Sequence, residues 1–273
     1  MRYIDPHIHM ISRTTDDYAR MAQAGCVAIT EPAFWAGFDR SSPRGFFDYF
    51  RHLTEQEPAR AAEYGIKHYT WLCINPKEAE DIGFAREVIS FIPEFLDLPN
   101  VLGIGEIGLN KNSRNELTIL EEQIDLAARY DQLILVHTPH LEDKLKGTKL
   151  IMRAIMANEN VDPGRVLIDH VEEHTVEIVL NEGFWAGMTL YPETKCTAQR
   201  AADIIEMFGT ERIWINSAGD WGPSDPLAVP KAQLELARRG HSPQTISKIS
   251  YGNPKAFLGA CSKFDLSDGM ADA

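Results

Sequence analysis

Six residues of this sequence, each at or just past the end of a short apolar run, carry side chains that bind divalent cations. His7 and His9 stand two apart in D-P-H-I-H. If that stretch is a strand, alternation puts both imidazoles on one face, within reach of one ion. Glu106 lies in G-E-I-G among apolar neighbours. A carboxylate there must be paired, coordinated or protonated, because burying it bare is costly. Its flanking glycines point to a close approach of backbone or ligand. His137 and His170 each follow three or four aliphatic residues, and Asp220 ends N-S-A-G-D after the last apolar run. Any one of these has a plain alternative: a surface pair, a buried salt bridge, a satisfied core histidine, a turn cap. Together, four imidazoles and two carboxylates meet the ligand demands of one or two divalent ions. Nitrogen and oxygen donors suit Zn²⁺ best, then Mn²⁺ or Fe²⁺, and Mg²⁺ less well. A carboxylate on a middle strand can bridge two ions about 3.5–4 Å apart.

Such a set needs a frame that gathers strand ends. Short β-branched or aliphatic runs at 3–9, 26–33, 66–74, 101–108, 133–138, 166–171, 184–190 and 213–217 read as strands. Several (VLGIG, LILV, VLI) are apolar throughout, as expected of strands covered on both faces. Amphipathic stretches at 16–24, 46–64, 84–96, 116–130, 149–158, 176–182, 198–208 and 227–238 read as the helices between them. Strand then helix, eight times over, predicts an α/β fold, a (β/α)8 TIM barrel, with its metal site at the C-terminal ends of the strands. The G-I-G-E-I-G run lies inside a strand and is no dinucleotide fingerprint. Residues 1–261 read as one barrel domain and residues 262–273, polar and glycine-containing, as a flexible C-terminal tail.

Composition bounds the partners. The chain has 273 residues, 44% of them hydrophobic, and a formal net charge of −13. That balance disfavours nucleic acid held mainly through phosphate contacts and favours a small or medium-sized substrate. No apolar run is long enough to span a membrane, and the N-terminus carries no secretory pattern. The four cysteines are scattered without a C-x-x-C pair, so a cytoplasmic protein with reduced thiols is expected. Oligomeric state is not encoded in any pattern found.

The motifs D-P-H-I-H (5–9), G-E-I-G-L-N (105–110), V-H-T-P-H (136–140), D-H (169–170) and G-N-P (252–254) resemble those of the TatD-like metal-dependent hydrolases of the amidohydrolase superfamily. The resemblance implies a TIM barrel with a dinuclear metal site: His7, His9 and Asp220 on one ion, His137 and His170 on the other, Glu106 bridging. It implies hydrolysis of an ester, amide or phosphoester by a metal-bound hydroxide, with Asp220 and Glu106 the catalytic carboxylates. Asn110 replaces the usual aspartate, N-S-A-G-D replaces E-T-D, and H-T-P-H replaces H-x-R. These place the chain nearer a TatD-related subgroup than the typical TatD deoxyribonuclease, which stands as the alternative. A non-hydrolytic barrel enzyme (decarboxylase or isomerase) and a metal-binding scaffold in a biosynthetic pathway are readings from other classes. Substrate contacts are expected from Glu31, His140, Lys144 and Trp221, which follow or end strands two, five and eight.

Overall fold

In the computed structural model, which describes residues 1–139 and 143–267, eight parallel strands follow one another in order around one sheet. They are β1 (Tyr3–Asp5), β2 (Cys26–Pro32), β3 (Lys67–Leu72), β4 (Val101–Gly108), β5 (Leu133–His137), β6 (Val166–Ile168), β7 (Trp185–Thr189) and β8 (Ile213–Asn216). Between them lie α1 (Thr15–Gln23), α2 (Arg44–Arg51) continued through a π turn into α3 (Glu57–Ala62), α4 (Ile82–Phe91), α5 (Arg114–Arg129), α6 (Lys144–Met156), α7 (Val176–Asn181) and α8 (Ala198–Phe208). α9 (Ala228–Arg238), α10 (Pro243–Ser247) and α11 (Asn253–Leu258) follow β8. This is the (β/α)8 barrel that the alternation of runs predicts.

β1 is shorter than the apolar run around it. Pro6 has no N–H to extend the ladder, and Asp5 Oδ1 accepts the amides of His7 and Ser217 instead. Past that interruption the barrel closes. The Ala218 amide donates to His7 O at 2.8 Å and the His9 amide to Gly219 O at 2.8 Å. The first and last strands are thus sewn together at the two histidines that the sequence singles out.

Two apolar layers hold the frame. Inside the barrel, Ile4, Ala28, Trp71, Leu102, Leu133, Leu135, Leu167 and Trp214 pack with Phe257 and Leu258 of α11. Outside it, the opposite faces of the strands, among them Ile29, Ile134, Val136, Ile168 and Ile215, meet the helices. The inner wall is crowded where chemistry is placed. A Cβ on Gly105 would stand 2.7 Å from Leu135 Cβ and 2.9 Å from Leu135 O, so only glycine lets β4 lie against β5 beside Glu106.

Candidate metal centre

The C-terminal ends of the strands open into a cavity of about 300 Å³ whose lining includes His7, His9, Glu106, His137, His170 and Asp220. Five of these six converge. His7 Nε2 and His9 Nε2 lie 3.1 Å apart. Glu106 Oε1 lies 2.8 Å from His137 Nδ1, 2.8 Å from His170 Nε2 and 3.8 Å from His7 Nε2. Three sets of ligand atoms are close enough to hold an ion: His7, His9 and Glu106; Glu106, His137 and His170; and His7, Asp169 and His170.

The tautomers follow from what lies behind each ring. His7 Nδ1 faces Asp169 Oδ2 at 2.5 Å and His9 Nδ1 faces Pro32 O at 3.2 Å; both partners accept only, so both Nδ1 atoms carry the proton. Thr189 spends its hydroxyl proton on Asn216 Oδ1 (2.9 Å), so His170 Nδ1 donates to Thr189 Oγ1 at 2.6 Å. Asn216 in turn donates to both oxygens of Asp169. In their neutral forms His7, His9 and His170 then present Nε2 lone pairs, and these atoms, with His137 Nδ1, face one another and the Glu106 carboxylate. That is a poor arrangement for hydrogen bonding and a good one for a cation, so the residues fit a divalent metal.

Charge states agree with this. Burial, then repulsion from His7, holds His9 well below the usual imidazole range. Burial, then the Lys195 ammonium, does the same for His170. His137 is lowered, again chiefly by burial. Burial works against ionising Glu106, but the fields of His137 and His7 and the bonds from His137 and His170 outweigh it and hold the carboxyl well below its ordinary value. His7 differs: burial works to lower it, but the charge of Glu106 and the bond to Asp169 outweigh that and raise the ring above its ordinary range. His9, His137 and His170, held neutral beside a carboxylate, are in the protonation states that metal ligands require.

His170 adopts φ 60°, a conformation that costs energy for a residue with a Cβ. Its backbone is gripped to hold it there. Its amide donates to Asp169 Oδ1 at 2.8 Å, and its carbonyl accepts from the buried Lys144 ammonium at 2.7 Å. Glu106 is steadied by Asn75, whose Nδ2 donates to Oε2 at 3.2 Å.

Three expectations need correction or qualification. Asp220 lines the cavity but stands outside the converging groups found among the described residues. The backbone from Ser217 to Gly219 is used to pair with β1, and the aspartate that follows turns its Oδ1 to the Tyr191 hydroxyl (3.0 Å) and the Gly222 amide (2.7 Å). Ala218, with no side-chain donor, lines the cavity at the end of β8. Glu31 faces away from the cavity: it accepts from the Ile11 amide at 2.8 Å and pairs with His68 Nε2 at 2.8 Å, under the helices. Lys144 is likewise scaffold, bound to the His170 carbonyl and to Glu172 at 3.1 Å. His140 lies outside the described residues. Trp221 does line the mouth; it stacks on Phe34 at 4.7 Å, which stacks on His9 at 3.7 Å.

Other groups at the site escape a reading of strand ends. Asp169, behind His7, could have been noticed as the carboxylate beside His170. Lys195 lines the cavity from a loop and Lys77 from the short 3-10 turn Pro76–Glu78, where a lysine carries no pattern of its own.

Comparison with known proteins agrees with the geometry. The family model for TatD related DNase matches residues 4–259. An uncharacterized metal-dependent hydrolase of Methanocaldococcus jannaschii is 29% identical over 257 residues, covering 93% of this chain and 98% of that protein. The crystal structure of a TatD-like protein from Archaeoglobus fulgidus superposes with a TM-score of 0.77 at 27% identity, over 94% of this chain and 100% of that one. A phosphotriesterase homology protein from Escherichia coli, complexed with phosphate in its active site, matches with a TM-score of 0.65 over 94% of this chain and 98% of that one; at 12% identity the likeness is one of fold. On this evidence of family, fold and clustered ligands, the chain belongs to the TatD family of metal-dependent hydrolases.

Proposed function

We propose that the chain hydrolyses an ester, amide or phosphoester bond of a compact substrate, with His7, His9 and Glu106 holding one divalent ion and Glu106, His137 and His170 a second. The observation that carries this is the meeting of imidazole lone pairs with one shared carboxylate oxygen. The nitrogen-rich donor set favours Zn²⁺, with Mn²⁺ or Fe²⁺ next. When bound, the ions supply Lewis acidity at the scissile group and water of lowered pKa. The protein supplies the rest. Asp169, Pro32 and Thr189 fix the rings so that Nε2 points inward. Asp220, held by Tyr191 and Gly222 at the cavity wall, is placed to take a proton from the attacking water and pass it to the leaving group. The Trp221–Phe34 stack forms an apolar side that excludes water and accepts a flat or apolar group.

Metal analysis of gently purified protein tests this reading. Two transition-metal ions per chain are expected, lost in Glu106→Ala. Asp220→Ala should keep both ions and lose about 10²–10⁴-fold in turnover on a responsive substrate, the usual weight of a general acid–base group. Protein that carries no metal and takes none up on titration would overturn it.

The family description favours a second reading, a deoxyribonuclease. Against it stand the charge of −13 and a cavity of about 300 Å³. Release of nucleotides from single-stranded DNA with Mg²⁺ or Mn²⁺ would establish it.

A further inference from the structure

We propose that Lys195 is an oxyanion-binding residue, and that the natural substrate carries a carboxylate or phosphoryl oxygen beside the bond that is broken. This rests on the hydrolase reading above and narrows its substrate class.

Lys195 lies in the segment between β7 and α8, and it lines the cavity with the ligand histidines. Among the described residues its ammonium has no hydrogen bond and no ion pair, and it lies over the Tyr191 ring, 5.0 Å from the ring centre. Yet its charge is felt by Glu106, Asp169 and Asp220 and depresses His9, His137 and His170. It therefore stands over the metal centre as a cation without an anion. Burial lowers its own pKa, while Glu106, Asp169 and Asp220 act to keep it charged. In a chain of net charge −13, with Glu193 and Asp220 lining the same cavity, an ammonium left without a carboxylate partner is poorly explained by stability. Lys195 is only partly buried, and its ammonium opens into the cavity with no protein acceptor, so the space in front of it is where an anionic substrate group would lie.

Its backbone is also built to hold position. The Lys195 amide donates to Tyr191 O at 2.8 Å, the next amide, of Cys196, donates to Thr189 O at 3.1 Å, and the Lys195 carbonyl accepts from Arg200. Arg200 is itself clamped by Glu172 at 2.9 Å and Glu173 at 2.6 Å. A lysine whose main chain is anchored loses less freedom on meeting an anion. Lys77, the other cavity lysine, instead sits 4.8 Å from the Trp35 ring at the rim and is exposed, so it serves poorly as the inner anion site.

The test is calorimetric titration of inorganic phosphate, and separately of acetate, into metal-loaded wild type, Lys195→Met and Lys195→Arg, with metal content and melting temperature measured on each. Loss of one charge-assisted bond should weaken binding of the preferred anion about tenfold or more in Lys195→Met, with metal content unchanged, and Lys195→Arg should stay within about threefold of wild type. The anion that suffers the larger loss shows whether the substrate group is phosphoryl or carboxylate. Equal affinities in wild type and Lys195→Met overturn the proposal. If Lys195→Met folds poorly, Lys195→Gln carries the same comparison. Should the wild type bind no metal yet bind the anion in a Lys195-dependent way, the hydrolase reading falls and the anion site stands. Metal bound with no Lys195 effect gives the reverse.

Discussion

His7 can offer its Nε2 lone pair to an ion only while Nδ1 keeps its proton, and Asp169 is what keeps it there, at 2.5 Å. Asp169 is fully buried, and the network beyond it is saturated: Asn216 donates to both oxygens and the His170 amide to Oδ1. An asparagine in its place would aim an amide N–H₂ at donors on one side or the other. Asp169→Asn should therefore weaken metal binding about 10–100-fold, the usual cost of losing such a partner. Chelator competition on the folded variant measures it, and an unchanged affinity would mean that the ring is held by its packing alone. A Cβ on Gly187 would stand 2.2 Å from Asp169 Oδ1, which is why β7 carries glycine opposite that carboxylate. Of the candidate site, the cluster of His7, His9, Glu106, His137 and His170 is legible in the sequence because strand ends impose position on them. Asp220 is misleading only as a ligand, for the converse reason: it comes after the backbone has been committed to closing the barrel. Lys195 is invisible because only the three-dimensional path of a loop brings it over the metal centre.

At the scale of elements, the eight strands and the helices between β1 and β8 are readable because apolar runs and 3.6-residue periodicity follow directly from two-sided and one-sided burial. What periodicity misses is polar burial. The α1 and α3 faces meet through Glu57, which accepts from Tyr18 Oη at 2.9 Å, His52 at 3.0 Å and Arg60 at 3.0 Å. Burial alone would raise its pKa, but the bond from His52 and the charge of Arg60 outweigh that, so the folded value lies below the ordinary 4.5. The folded protein then binds fewer protons at Glu57 than the unfolded chain does. The stabilisation is complete above 4.5 and is lost as pH falls from there through the folded value. Glu57→Gln should lower stability at pH 7 by roughly 1.5–3 kcal/mol, the range for hydrogen bonds to a charged group. The gap from wild type should narrow as pH drops below about 4.5. Urea unfolding at pH 7, 5, 4 and 3 follows this. A gap independent of pH would assign the loss to packing rather than to ionisation.

For the molecule as a whole, the barrel separates what holds it together from what it does. The strands' C-terminal ends carry the histidines; their N-terminal ends are stoppered by α11. There Asn253 Nδ2 bonds Thr210 O and Ile213 O, both at 2.6 Å. Phe257 fills the interior, 5.3 Å from the Trp214 ring, 5.5 Å from Trp185 and 6.4 Å from Trp71. No long periodic pattern marks this stopper, since α11 is only six residues long and is joined to the short α10 through a π turn at Lys248–Gly252; its G-N-P motif is recognisable only by resemblance. Phe257 is 1% exposed, so truncating it leaves a cavity among three tryptophans, and Phe257→Ala should cost about 3–5 kcal/mol. Because the loss falls at the end of the barrel remote from the ligands, the variant should still bind its full complement of metal where it remains folded. Denaturant unfolding with parallel metal analysis checks both halves of that statement. If metal affinity fell together with stability while circular dichroism stayed native, the stopper would have to be tensioning the strands that carry His137, His170 and Glu106. The two ends of the barrel would then be mechanically coupled rather than independent.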